Sequence, residues 1–165
     1  MPIALTPSVF TSPGAAGDFS WMLRQSRWAR TLFVFNDNEQ QSRAFLARVG
    51  SGTLDPASPA CRAGGGNAVI RPFQCQQPPR AAGVPTGPGY TCLTDHARAR
   101  IDAAIAHIDV VLTSGDFSEV VYSASRTDPT VLGHGIFEVG DEVLRYIPAE
   151  LAQLVDRINR RQGAQ

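Results

Sequence analysis

Two runs along the chain are apolar without interruption. Thr31-Leu32-Phe33-Val34-Phe35 is rich in β-branched and aromatic residues and stops at Asn36-Asp37-Asn38, residues that favour turns. Glu119-Val120-Val121-Tyr122-Ser123-Ala124 repeats the pattern. Strands apolar on both sides belong in the middle of a sheet, so Leu32–Phe35 and Val120–Ala124 are expected to be central. Ala81-Ala82-Gly83-Val84-Pro85 reads as a shorter strand, followed by the turn-rich Thr86–Tyr90.

Elsewhere the period is helical. Ala97, Ile101, Ile105, Ile108 and Leu112 share one face of a helix that Thr94 or Asp95 caps and that runs to about Leu112. From Asp141 onward, Ile147, Leu151, Leu154 and Ile158 form a second stripe, with Arg157, Arg160 and Arg161 at the negative end of the dipole. Pro148 is expected to mark a kink or a fresh helix start. Glu39–Val49 predicts a short helix with Phe45, Leu46 and Val49 on its apolar face, stopped by Gly50. Strands alternating with helices predict an α/β fold, a mostly parallel or mixed sheet layered between helices.

The remaining stretches are punctuated by proline and glycine. Residues 1–30 carry Pro2, Pro7, Pro13, Gly14 and Gly17 and read as an arm packed on the core through Trp21 and Trp28. Residues 31–165 then form one domain. Residues 50–63 and Gln74–Arg80 are expected to be loops. Between them, Gly64-Gly65-Gly66-Asn67 opens a short helix that Pro72 ends.

Composition narrows the function classes. At 165 residues and 43% hydrophobic, the chain can bury a sizeable core. Fifteen basic and fifteen acidic side chains cancel, which argues against a non-specific nucleic-acid binder. Every basic residue is arginine, so a P-loop lysine, a Schiff base and a lysine general base are excluded. Cys61, Cys75 and Cys92 are odd in number and lack CxxC spacing; they are read as small semi-buried side chains in a reducing compartment. No signal-peptide pattern or bilayer-length apolar run is present, and a soluble, cytoplasmic protein with no membrane partner is expected.

In parallel α/β folds, ligands sit beyond the carboxyl ends of the strands. Three segments qualify. Asn36-Asp37-Asn38 either hydrogen-bonds hydroxyls or base edges of a ligand, or caps its own backbone. Gly64-Gly65-Gly66-Asn67 either aims several N–H groups at a phosphate or is a plain surface loop; it is neither the dinucleotide fingerprint nor a P-loop. Gly133-His134-Gly135-Ile136-Phe137 again exposes backbone amides, and Phe137 can stack on an aromatic group or cover a sugar. His134 is either a solvated loop residue or an acid/base group. These three tips are expected to converge on one cleft.

Phe33-Val34-Phe35-Asn36-Asp37-Asn38, Gly64-Gly65-Gly66-Asn67-Ala68, Ala82-Gly83-Val84-Pro85-Thr86-Gly87 and Leu132-Gly133-His134-Gly135-Ile136 together resemble the pattern of compact phage and bacterial macro-domain-like proteins. The resemblance covers roughly residues 31–147. It implies a three-layer α/β/α fold that binds ADP-ribose or a related nucleotide diphosphate, in some members with hydrolysis of ADP-ribosyl bonds. On that resemblance Asn36 or Asn38 lies near the distal ribose, Gly64, Gly65 and Gly66 form one phosphate loop, and Gly133, Gly135, Ile136 and Phe137 form the second. Catalysis would use a water activated by Asp37 or held by the substrate phosphate, with Asn38 orienting the ribose. No metal or cofactor is implied, and nucleic acid enters only as an ADP-ribosylated substrate.

Departures are visible: the longer asparagine–alanine–alanine–asparagine motif is absent, and about twenty-five residues separate Asn38 from the glycines. The alternative is a non-catalytic interaction or structural protein whose Pro/Gly loops bind partners. Ser123 and Ser125 lack a G-x-S-x-G elbow, and His96, His107 and His134 lack metal-ligand spacing.

Overall fold

A computed structural model describes Met1–Ala164. Its strands are β1 (Ala4–Ser8), β2 (Thr31–Asp37), β3 (Ala81–Pro85) and β4 (Glu119–Ser123), and its α-helices are α1 (Phe19–Met22), α2 (Glu39–Ser51), α3 (Asp95–Ser114) and α4 (Asp141–Gly163). The strands form one sheet in the order β1-β4-β2-β3. Every pairing is parallel, with Leu32 opposite Val120 and Val34 opposite Ala82. The α/β expectation holds, and β2 and β4 occupy the centre as their apolar runs require.

Side-chain alternation divides the core in two. Leu32, Val34, Ala82, Val84, Val120 and Tyr122 join the apolar faces of α3 and α4 in one cluster. Phe33, Phe35, Ala81 and Val121 point the other way, onto Phe19, Met22, Leu23, Trp28 and Ile70. Val34 and Val121 are about 2% and 1% exposed, so both faces of the central strands are closed. At roughly 1.5–3 kcal/mol for each large side chain buried, these two clusters are the main source of stability. One face thus carries two long helices, while α1 and a ten-residue 3-10 run, Gly66–Cys75, cover the other.

Several local expectations need correction. Residues 1–30 do more than lie on the core: β1 is an edge strand, with Ile3 donating its N–H to Asn159 of α4. Pro7 fits within this strand, because an edge position leaves its missing N–H without consequence. α2 runs through Gly50 and ends at Gly52, whose φ of 68° supplies the left-handed cap. Pro72 does not end the glycine-initiated helix, because a 3-10 geometry carries the chain past it to Cys75. α4 is continuous through Pro148, so no fresh helix starts there. Gln74 and Cys75 are buried rather than part of an exposed loop. Thr94 caps α3 as expected, its hydroxyl accepting from the Ala97 N–H at 3.1 Å.

His107 sits on α3 with its ring edge-on to Phe45 of α2, centroids 5.2 Å apart. Burial holds its pKa below the ordinary 6.5, so the folded chain keeps it neutral while the unfolded chain takes up a proton. That difference stabilises the fold above the unfolded value and is lost as pH falls through the depressed folded one. Thermal melts should therefore show stability falling below about pH 6.5, with a shallower fall in His107→Leu. Parallel pH profiles for the two proteins would contradict this.

Candidate functional site

A cleft of about 610 Å³ lies at the carboxyl edge of the sheet. The ends of β2, β3 and β4 supply Asn36, Asp37, Thr86 and Ser123 to it, as a parallel sheet dictates. Asn38, Gly64–Asn67 and His134–Phe137 complete the walls, so the three tips meet although they are far apart in sequence. Gly133 is the exception. It is packed beneath the site, its N–H donating to the Ser123 carbonyl at 2.9 Å, and its own carbonyl meets Asn36 Nδ2 at 3.5 Å.

Asp37, the candidate water-activating carboxylate, lines the cleft but is enclosed. Its side chain has no solvent exposure and pairs with Arg71, whose own is 6% exposed. Oδ1 accepts from Arg71 Nη2 at 2.5 Å, from Arg71 Nε at 3.1 Å and from the Asn38 N–H at 2.8 Å. Oδ2 is buried without a partner among the described residues. Burial pushes the Asp37 carboxyl up, against the lowering pull of Arg71 and the Asn38 N–H. Gly83 makes room for this carboxylate, since a Cβ there would lie 2.9 Å from Oδ2.

Arg71 links that pair to the first glycine loop. Its Nη1 donates to the Arg62 carbonyl at 2.8 Å, and a Cβ on Gly64 would come within 2.8 Å and 2.9 Å of the two Nη atoms. Glycine is required there so that the loop can rest on the guanidinium. The Gly64 N–H is consumed by the Ala68 carbonyl at 2.9 Å. Those of Gly65, Gly66 and Asn67 have no acceptor among the described residues, and Gly66 turns the chain with a φ of 57°. These three N–H groups, at the start of the 3-10 run, form an anion-favouring edge.

The second loop closes over the first. Ile136 is 73% exposed, yet its Cδ1 would lie 3.0 Å from a Cβ on Gly65. Phe137 packs on Gly87 of the β3–α3 turn. The N–H groups of His134 through Phe137 also lack acceptors among the described residues. His134 is exposed on the rim. Asn38 has a structural duty as the cap of α2, its Oδ1 accepting from the Gln41 N–H at 2.7 Å, which leaves its Nδ2 as the group to meet a ligand.

No family model, curated protein or solved structure matches this chain.

Residues that the sequence did not single out also line the cleft: Phe10, Ser20, Gln41, Val69, Arg71 and Thr86 among them. Thr86 and Ser123 follow from the strand-end rule once the strands are known. Arg71 had no such signal, because its role depends on a partner thirty-four positions away. Beside the cleft, Glu39 Oε1 accepts from the Tyr90 hydroxyl at 2.7 Å and lies 2.5 Å from His96 Nε2, which fixes the start of α2 to the start of α3.

The cysteine expectation is overturned: Cys61 and Cys75 form a disulfide, and only Cys92 is a free thiol, exposed rather than semi-buried. No helix of the described residues is long and apolar enough to cross a membrane.

Proposed function

We propose that the cleft binds ADP-ribose or a related nucleotide diphosphate. The observation that carries the reading is the meeting of two glycine-bearing loops, each with unclaimed backbone N–H groups, beside Asn36 and Asn38 at the carboxyl edge of a parallel sheet. The diphosphate would lie across the N–H groups of Gly65–Asn67 and His134–Phe137. Arg71 is neutralised by Asp37, so the backbone rather than a free guanidinium answers the ligand's charge. The Asn36 and Asn38 amides would hydrogen-bond ribose hydroxyls, and Phe137 would cover a sugar or base.

The reading stands on binding. With Asp37 enclosed, turnover of an ADP-ribosyl bond would need the substrate's own phosphate to hold the attacking water, with Asn38 orienting the ribose. A thermal-shift panel of ADP-ribose, NAD, simple nucleotides and nucleotide sugars tests the ligand class. A true ligand at about 100 times its Kd should stabilise the fold by about 2.7 kcal/mol. Failure of every diphosphate in the panel would leave the partner-binding alternative as the better account.

A further inference from the structure

The disulfide joins Cys61 to Cys75 across a separation of fourteen residues. The segment it closes contains the whole Gly64–Asn67 wall of the cleft and Arg71. Around the bond lies only a small apolar cluster, Phe45 and Ala60 with Leu46 and Leu54 against it, separate from the two clusters on the sheet faces. Across the base of the segment, the other link between its two ends is the 3.4 Å hydrogen bond from Gln74 Nε2 to the Ala60 carbonyl. The segment is tied to β2 by the Arg71–Asp37 pair and to the sheet face by Ala68 and Ile70, which lie in the second core cluster with Phe73 against it, and Arg71 also holds the segment's own Arg62 carbonyl. The second half of the segment is thus fixed by core packing, while its first half, residues 62–67, is held by the covalent bond at Cys61, the Gly64 N–H on the Ala68 carbonyl and the Arg71 guanidinium.

We propose that the Cys61–Cys75 pair is a redox site whose state sets the order of the glycine loop, so that the oxidised chain holds the cleft ready and the reduced chain does not. The ligand consequence rests on the nucleotide reading above; the loop consequence does not. The reductant is a dithiol. Its thiolate attacks one cysteine sulfur, the S–S bond breaks to give a mixed disulfide and one cysteine thiolate, and the second dithiol sulfur displaces the other cysteine. Two electrons and two protons pass to the protein as two thiols, and the dithiol leaves as its own cyclic disulfide. Both cysteines are nearly buried, at 3% and 4% exposure, so attack requires the segment to open first. Reduction then frees the first half of the segment, while both sheet-face clusters, which contain neither cysteine but do hold Ala68 and Ile70, keep the rest of the chain folded.

The test uses the full chain with Cys92→Ser, which removes the exposed thiol that could scramble the pair. Hydrogen exchange of residues 62–67 is measured before and after dithiothreitol, with mass reporting the two added hydrogens, and ADP-ribose is titrated into both forms. Exchange in 62–67 should rise by at least about tenfold on reduction, remain unchanged in β2 and β4, and return on reoxidation. The Cys61→Ser/Cys75→Ser form should behave as the reduced one under all conditions. ADP-ribose affinity should fall by about tenfold or more in both thiol-free and reduced forms. Unchanged exchange in 62–67 after complete reduction would overturn the proposal, as would unfolding of the whole sheet, which would make the bond a staple of the fold. Finding no disulfide in air-purified protein would overturn it as well. If ADP-ribose binds neither form, the nucleotide reading falls, and the exchange difference alone decides the redox site.

Discussion

Arg71→Met should cost the fold about 3–5 kcal/mol, one of the largest losses available to a single substitution in this chain. The variant keeps most of the side-chain volume but removes all three hydrogen bonds that Arg71 donates, two to Asp37 and one to the Arg62 carbonyl. What remains is a fully enclosed carboxylate whose Oδ2 already lacks a partner and whose Oδ1 keeps only the Asn38 N–H. Most of the expected loss is the penalty of that uncompensated charge, not the net worth of the ion pair. The companion Arg71→Met/Asp37→Leu should recover much of the loss, because two apolar groups of similar volume leave nothing charged behind.

The pH dependence follows from the same burial. The Asp37 carboxyl is already pushed above its ordinary 3.8 by desolvation, and losing Arg71 removes the main opposing influence. A carboxyl raised in the folded state contributes stability that is fully present below its unfolded value and lost as pH rises through the folded one. The deficit of Arg71→Met should therefore be greatest at neutral pH and shrink in acid as Asp37 takes up a proton. Urea unfolding of parent, single and double variants at neutral and acidic pH reads all of this. A loss under about 1 kcal/mol at neutral pH would show that the pair is hydrated in solution.

Gly65→Val should lower ADP-ribose affinity by about a hundredfold or more while leaving the fold nearly as stable as the parent. Of the three consecutive glycines, Gly65 is the one that separates binding from folding. Gly64 cannot accept a Cβ without displacing the Arg71 guanidinium, and Gly66 has a φ of 57° that strains any L side chain. Gly65 has an ordinary φ of −80°, and a Cβ there meets only the flexible tip of Ile136 at 3.0 Å. The added side chain would stand beside the three unclaimed N–H groups and keep a phosphate from reaching them. Equal affinity in a well-folded variant would take the glycine loop out of the site.

The central strands were legible because burial on both faces leaves an unbroken apolar run, and β2 and β4 show it. The α3 and α4 stripes were legible for the same kind of reason, a 3.6-residue period that one buried face imposes. β1 was not, because Pro7 and its exposed positions look like coil, and the strand exists only through its pairing with β4. The long 3-10 run was hidden by Pro72, which reads as a helix end although the tighter turn carries the chain through it. The cleft was legible through the strand-end rule, which brings Asn36–Asn38 to the same place as two glycine loops. Its electrostatics were not: Asp37 looks free in sequence, and only the fold sets Arg71 against it. The Cys61–Cys75 bond was hidden in the same way, since an odd cysteine count conceals which two sulfurs the chain brings together.

The most direct measurement is a calorimetric titration of ADP-ribose into the full chain, run beside Gly65→Val. A saturable one-to-one isotherm for the parent, with loss of heat in the folded variant, is the predicted result. Absence of binding to the well-folded parent at millimolar ADP-ribose, with no response to other nucleotide diphosphates, would contradict a nucleotide cleft.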